Sequence, residues 1–245
     1  MNKKNLIVLI TLGLFSSVAC GNQIYRFSPH EIYLGPELAT VSVDTHIKNI
    51  HVKGRKHFSG LRLGYEFKKP ASFYAGADLS LLTSFQYYSA LQNERPIVSS
   101  HKSIGLDNFD LRFGYTAAPK SLFLTPFLGA GVYGLGTICH KKGFHEGWVY
   151  LSTGLRSDFS INPVFNLGLN LKLFKSVFSY KQFQNHNTNV SSYSYPWGAE
   201  IGIPFTWNFN VRGTWTFQIE PYWTKLDFTE TQNLVGCKFL VGVHF

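Results

Sequence analysis

With 245 residues, 22 Phe, 13 Tyr, 5 Trp and 22 Gly, the chain has the size of one β-rich domain, and three cysteines exclude a disulfide framework. Only 15% of its residues are charged, yet no long apolar run follows the first twenty residues, which excludes a helical membrane protein. The net charge of +9 points to anionic partners without naming one.

Lys3 and Lys4 precede an apolar run, Leu6 to Phe15, and then Ser16-Ser17-Val18-Ala19. A basic start, a short apolar core and small residues read as a secretory signal over 1–19, cleaved after Ala19. The run is short of the roughly 20 residues that a membrane helix needs. Cys20-Gly21 resembles a lipidation site, but Ser17 stands where such signals usually carry Leu, Val or Ile. A short periplasmic segment, 20–30, is expected before the domain at 31–245.

That domain reads as ten strands, 31–41, 58–67, 72–84, 104–116, 122–136, 147–160, 164–176, 195–208, 214–225 and 233–245, with eight as the alternative count. Successive side chains of a strand point to opposite faces, so each strand has two sets. In the second, Leu61, Leu63, Tyr65 and Phe67 oppose Gly60, Arg62, Gly64 and Glu66. In the seventh, Phe165, Leu167, Leu169, Leu171 and Leu173 oppose Asn166, Gly168, Asn170 and Lys172. The eighth opposes Trp197, Ala199, Ile201, Ile203 and Phe205 to Gly198, Glu200, Gly202 and Pro204. The ninth is weakened by Pro221, which cannot donate to a ladder. The last sets Val235, Cys237, Phe239, Val241, Val243 and Phe245 against Gly236, Lys238, Leu240, Gly242 and His244.

Connections alternate in length. Short ones at 68–71, 117–121, 161–163 and 208–213 are rich in turn formers; long ones fall at about 42–57, 85–103, 137–146, 177–194 and 226–232. An even strand number with one short-turn end and one long-loop end is the pattern of membrane barrels. A soluble β-sandwich would also alternate. It would not place Tyr33, Tyr115, Trp148, Tyr195, Trp197 and Trp223 near strand ends, where membrane barrels keep aromatic girdles.

Leader, alternation, turn asymmetry and terminal Phe245 together resemble the small outer-membrane β-barrels of Gram-negative bacteria, including opacity-type, OmpA-like and OmpX-like barrels. The resemblance implies an all-β, transmembrane, antiparallel up-and-down barrel in the bacterial outer membrane with both termini periplasmic. It further implies that Phe245 is read by the outer-membrane assembly machinery. No family-specific motif accompanies it, so no functional residue is carried over.

The inward set collects charge: Glu31, Glu37, Glu66, Asp78, Asp110, Asp158, Glu200 and Glu220 with Arg62, Arg112, Arg156, Lys172 and Lys238. In a narrow lumen these should pair, since an unpaired buried charge is costly. The alternative is a hydrophilic, porin-like lining, although barrels near eight strands are filled by side chains. The outer connections carry Lys48, Lys53, Arg55 and Lys56 against Asp44, Lys141 and Lys142 against Glu146, and Lys175 and Lys181. In an outer membrane they face lipopolysaccharide phosphates and, beyond them, a host glycan or protein; nucleic acid is not an expected partner. Most of the nine histidines fall in or beside these connections, and only His46 and His51 approach metal-ligand spacing. No Asp-x-Asp pair accompanied by Asp-x-His is present, so an enzyme acting on membrane lipid or peptide ranks last. No cofactor, metal or catalytic site is expected. Cys139 and Cys237 are expected as free thiols.

Overall fold

The computed structural model describes residues 29–47, 50–87, 91–92, 95–96, 101–119, 122–137, 144–183, 197–209, 215–227 and 231–245. Ten strands build the domain. They are β1 (His30–Ile47), β2 (Ile50–Lys68), β3 (Ser72–Tyr87), β4 (His101–Thr116), β5 (Leu122–Thr137), β6 (Phe144–Ser160) and β7 (Phe165–Phe183). Then come β8 in two pieces (Trp197–Gly202 and Phe205–Asn208), β9 (Trp215–Asp227) and β10 (Thr231–His244). Each pairs antiparallel with the next, and β10 returns to β1 through a register running from Glu31↔His244 to Val43↔Gln232. The sheet is closed, so no strand is left with an unpaired edge, the condition for a sheet to sit in hydrocarbon. The count is ten, not eight. A two-residue ladder, Leu91–Gln92 with Arg95–Pro96, stands apart from the wall.

Side chains sort by parity as the sequence predicts. Leu34, Leu63, Leu151, Leu173 and Val241 are exposed on the outside, and Leu128 is 69% exposed. Glu37, Glu66, Asp78, Asp110, Glu220 and Lys238 are buried inside, Glu66 at 2%. Water would drive apolar surface inward. A wall with the reverse arrangement is built for a hydrocarbon surround, and this barrel spans a membrane.

Two turns at the short-connection end show their local causes. Asn162 Oδ1 accepts the N–H groups of both Val164 and Phe165 at 2.8 Å, closing the β6–β7 turn as Asx turns do. Between β2 and β3, Pro70 leads into Ala71 at φ 51°, the left-handed region that non-glycine residues enter at a cost. Strand β8 breaks at Ile203–Pro204 because Pro204 has no N–H to give. Ile203 N–H donates to Pro221 O (3.0 Å) and Gly168 N–H to Pro204 O (2.8 Å), which holds the gap closed. Pro221 itself stays inside β9, opposite Cys237.

Several boundaries differ from expectation. The 42–57 segment, read as a loop, continues the ladder of β1 and β2 up to the pair Ile47↔Ile50. β7 likewise runs to Phe183 rather than ending at 176. Backbone hydrogen bonds carry the β1–β2 hairpin past the apolar band, where the outward parity turns polar (Ser42, Asp44, His46) and the apolar-outside pattern is lost. Tyr33 and Trp148 are buried inside, not in a girdle, because each shares its strand face with lumen residues. Tyr115, Trp197 and Trp223 do face outward; Tyr195 lies outside the described residues. The leader, Cys20 and Cys139 also lie outside them, and Cys237 is a free thiol.

Candidate functional site in the barrel lumen

Twelve of the thirteen lumen positions expected to pair, Glu37, Arg62, Glu66, Asp78, Asp110, Arg112, Arg156, Asp158, Lys172, Glu200, Glu220 and Lys238, form ion pairs inside the barrel. Arg62 bridges Glu37 (3.5 Å) and Asp78 (3.1 Å). Arg112 contacts Asp78 and lies 3.5 Å from both Glu66 and Asp110. Arg156 contacts Glu66 and sits 3.7 Å from Asp158, while Lys172 reaches Asp110 at 3.0 Å. On the other wall, Lys238 joins Glu200 (3.4 Å) and Glu220 (3.2 Å). Glu31, near the short-turn mouth, accepts from Thr216 Oγ1 at 2.7 Å and faces His244 Nε2 at 3.5 Å.

Sequence reasoning missed two contributors. Lys68 contacts Asp158; it continues the inward parity of Glu66 but falls just past the predicted end of its strand. The second is a set of tyrosines. Tyr222 donates to Glu37 (2.6 Å), Tyr74 to Glu66 (3.2 Å) and Tyr150 to Asp110 (3.1 Å), and Tyr33 donates to Asp78. Each phenol supplies a hydrogen bond to a buried carboxylate without adding charge. Lys238 also sits 4.5 Å from the Tyr222 ring centroid, and Lys172 4.7 Å from that of Tyr150, within cation–π range.

Above this network, toward the long-connection end, the interior turns apolar. Val41, Phe58, Leu82, Ile104, Leu106 and Leu234 pack into one buried cluster, with Tyr133 and Leu135 against it. Below it, a cavity of about 110 Å³ opens among Glu31, Lys68, Asp158, Asn166, Gln218 and His244. Two smaller spaces of about 40 Å³ each lie within and just above the ion network. Polar spaces of that size hold a few waters, not a conduit.

The outer positions are arranged differently from the expected loop. Arg55 and Lys56 lie on β2, and Arg55 is exposed. Lys56 belongs to the strand face opposite Arg55, and Lys53 is the register partner of Asp44. Lys48 lies outside the described residues. His46 and His51 are register partners across the hairpin. Two His-x-Ser stretches also escaped the sequence reading, His57-Phe58-Ser59 and His101-Lys102-Ser103. His57 and Ser59 face outward, and His57 Nδ1 lies 2.9 Å from Thr40 Oγ1. Among the described residues no carboxylate bonds to His57, so no triad is assembled there. Phe245 closes the seam: its N–H donates to His30 O (3.1 Å) and the two rings stack at 5.6 Å.

No family of known proteins matches the chain by sequence. No curated protein matches it either. Solved structures do. The outer membrane protease OmpT from Escherichia coli is similar over 93% of this chain and 100% of its own, at 10% identity and a TM-score of 0.51. The translocator domain of the autotransporter NalP from Neisseria meningitidis gives a TM-score of 0.47 at 8% identity, covering 99% of this chain and 97% of that one. The attachment invasion locus protein Ail of Yersinia pestis gives 0.35 at 11% identity, over 87% and 99%. At such identity the first likeness supports the fold and transfers no activity. In fold, then, the chain is a closed ten-stranded barrel of the kind found among Gram-negative outer-membrane proteins.

Proposed function

We propose that the chain is an integral outer-membrane barrel, with both termini periplasmic, whose lumen is structural filling and whose role is exercised from its outer end. The supporting observation is the apolar layer of Phe58, Leu82, Ile104 and Leu234 stacked on a paired ion network. An ion crossing the lumen would have to displace both. In this reading the basic positions Lys48, Lys53, Arg55 and Lys56 meet polyanions at the surface, lipopolysaccharide phosphates first and a host glycan or protein beyond them. Because the strand alternates, Lys56 lies on the face opposite Arg55 and contributes less. Phe245, pinned beside His30, is offered to the assembly machinery.

Heparin serves as the soluble test polyanion. The refolded barrel should bind it, and binding should fall steeply with salt, because exposed charges are screened beyond roughly 8 Å at physiological ionic strength. A Lys53→Ala/Arg55→Ala/Lys56→Ala variant should lose most of it. Equal binding by variant and wild type, or binding indifferent to salt, would remove the surface-interaction role.

A further inference from the structure

The outer wall carries few exposed charges, and their positions are not random. Among the described outward side chains, Arg55, Lys175, Lys225 and Asp107 are charged and exposed. The three cations occupy one contiguous arc, β7 to β10 and then β1 and β2, while Asp107 is across the barrel on β4. Register ties them together. Lys175 pairs with Trp197. Lys225 pairs with Ala199 on one side and Asn233 on the other. Asn233 pairs with Ser42, and Ser42 with Arg55. The outcome is a polar row, Lys225–Asn233–Ser42–Arg55, with Lys175 and two tryptophans at one end. Lys175 Nζ lies 5.0 Å from the Trp197 ring centroid, and Trp223 is exposed two residues below Lys225.

Height along the wall identifies the surroundings. Lys175 and Lys225 each stand ten residues beyond the start of their strands, Phe165 and Trp215. At ~3.3 Å per residue and a tilt of about 40°, that is roughly 25 Å, the height of a barrel's apolar band. Charge on the lipid face is costly at mid-membrane and nearly free at the interface. Tryptophans mark the same level. Lys175 and Lys225 therefore sit where lipid headgroups begin, two strand spacings and two register positions apart, on the order of 12 Å.

We infer that the arc from Lys175 through Lys225 to Arg55 is a binding site for the phosphate-bearing headgroup of a lipid in the surrounding membrane. The inference rests on the membrane placement proposed above and adds a wall site to its outer-end surface. Lys175 and Lys225 supply charge to the phosphates, Asn233 and Ser42 supply hydrogen bonds between them, and Trp197 and Trp223 cover the sugar or glycerol face and upper chain. Asp44↔Lys53 is the next register pair of the same parity toward the long-connection end, and Asp227 stands level with Lys175 through Trp197. Neither Arg55 nor Lys225 forms an ion pair among the described residues, so both cations are available to a ligand.

The test uses the full refolded barrel in neutral detergent, with lipid A as probe and native mass spectrometry counting retained lipid. Wild type should retain it, and Lys175→Ser/Lys225→Ser should bind it more weakly, by about fivefold for each cation removed. Lys69→Ser, at the opposite end of the barrel, should match wild type. Millimolar inorganic phosphate should not displace the lipid, because headgroup and chain bind together. Heparin binding should survive in the double variant, which leaves Lys53, Arg55 and Lys56 intact, so lipid lost with heparin binding kept assigns the effect to Lys175 and Lys225 and not to the hairpin surface. Where the double variant fails to refold, Lys225→Gln carries the same expectation. Unchanged lipid retention in the variants, or displacement by free phosphate, overturns the proposal.

Discussion

The Tyr33 ring of β1 lies flat across Gly64, its register partner on β2, filling the space that a side chain at Gly64 would need. The relation recurs around the barrel: Phe127 covers Gly154, Tyr150 covers Gly131, Phe174 covers Gly198 and Tyr222 covers Gly236, each across a directly paired position. Large rings thus fit a narrow lumen because the neighbouring strand leaves a slot. For three of them the slot also aims a phenol at a carboxylate.

A methyl group at Gly64 must therefore displace Tyr33 and its bond to Asp78. Overpacking of this kind costs about 1–3 kcal/mol, so Gly64→Ala should unfold at lower urea concentration than wild type in detergent micelles. Gly134→Ala is the matched control, since its nearest neighbour would be Asp107 Cβ at 3.9 Å. A change within about 0.5 kcal/mol is expected there, as for an ordinary surface substitution. Equal effects of the two substitutions would remove the ring-in-slot account.

Arg156 joins Glu66 to Asp158, and all three are deep in the lumen. Arg156→Ala leaves Glu66 with only the longer contact to Arg112 (3.5 Å), while Asp158 keeps Lys68. Breaking a buried pair from one side costs about 3–5 kcal/mol, and thermal unfolding should move down accordingly. Arg156→Ala combined with Glu66→Gln should recover part of the loss, because the uncompensated charge is gone. A double variant no more stable than the single one would mean that Arg156 acts by packing, not by charge.

Closure of β10 onto β1 predicts resistance to detergent. In SDS, unboiled protein should run at a different position from boiled protein, because the closed wall has no free strand edge to invite the detergent in. Circular dichroism should report β structure. Identical migration with substantial helix would contradict the closed barrel.

Strand positions and the ion network were legible because both follow from period-two alternation. Arg62, Asp78 and Arg156 could be assigned inward without knowing their partners. Lys68 was missed because the Lys-Lys-Pro-Ala turn signal ends the apparent strand one residue early. The upper halves of β1 and β2 were missed for a different reason. Ser42, Asp44 and His46 are register partners of Arg55, Lys53 and His51, so the outward parity turns polar while Val43, Ile47, Ile50 and Val52 fall on the other, and the apolar-outside pattern reverses while the ladder continues. Tyr33 sits near a strand end, where an aromatic looks alike in a girdle and in a lumen; its parity with Glu31 and Glu37 decides, and its pairing with Gly64 gives the ring room. The apolar layer of Phe58, Leu82 and Ile104 breaks the polar-inside rule, and hydrophobicity alone cannot distinguish such residues from lipid-facing ones, although they share strand parity with Arg62, Asp78 and Asp110. The wall cations needed register across six strands.

Conductance tests the central claim most directly, that the lumen is filled and capped rather than open. Purified barrel inserted into a planar bilayer should show no stable current steps in molar salt, since the Phe58–Ile104–Leu234 layer and the Arg62–Asp78–Arg112 network both close the path. Insertion itself is verified by the heat-dependent gel shift of the same preparation. Reproducible single-channel steps from protein that shows that shift would contradict the account and make the barrel a pore.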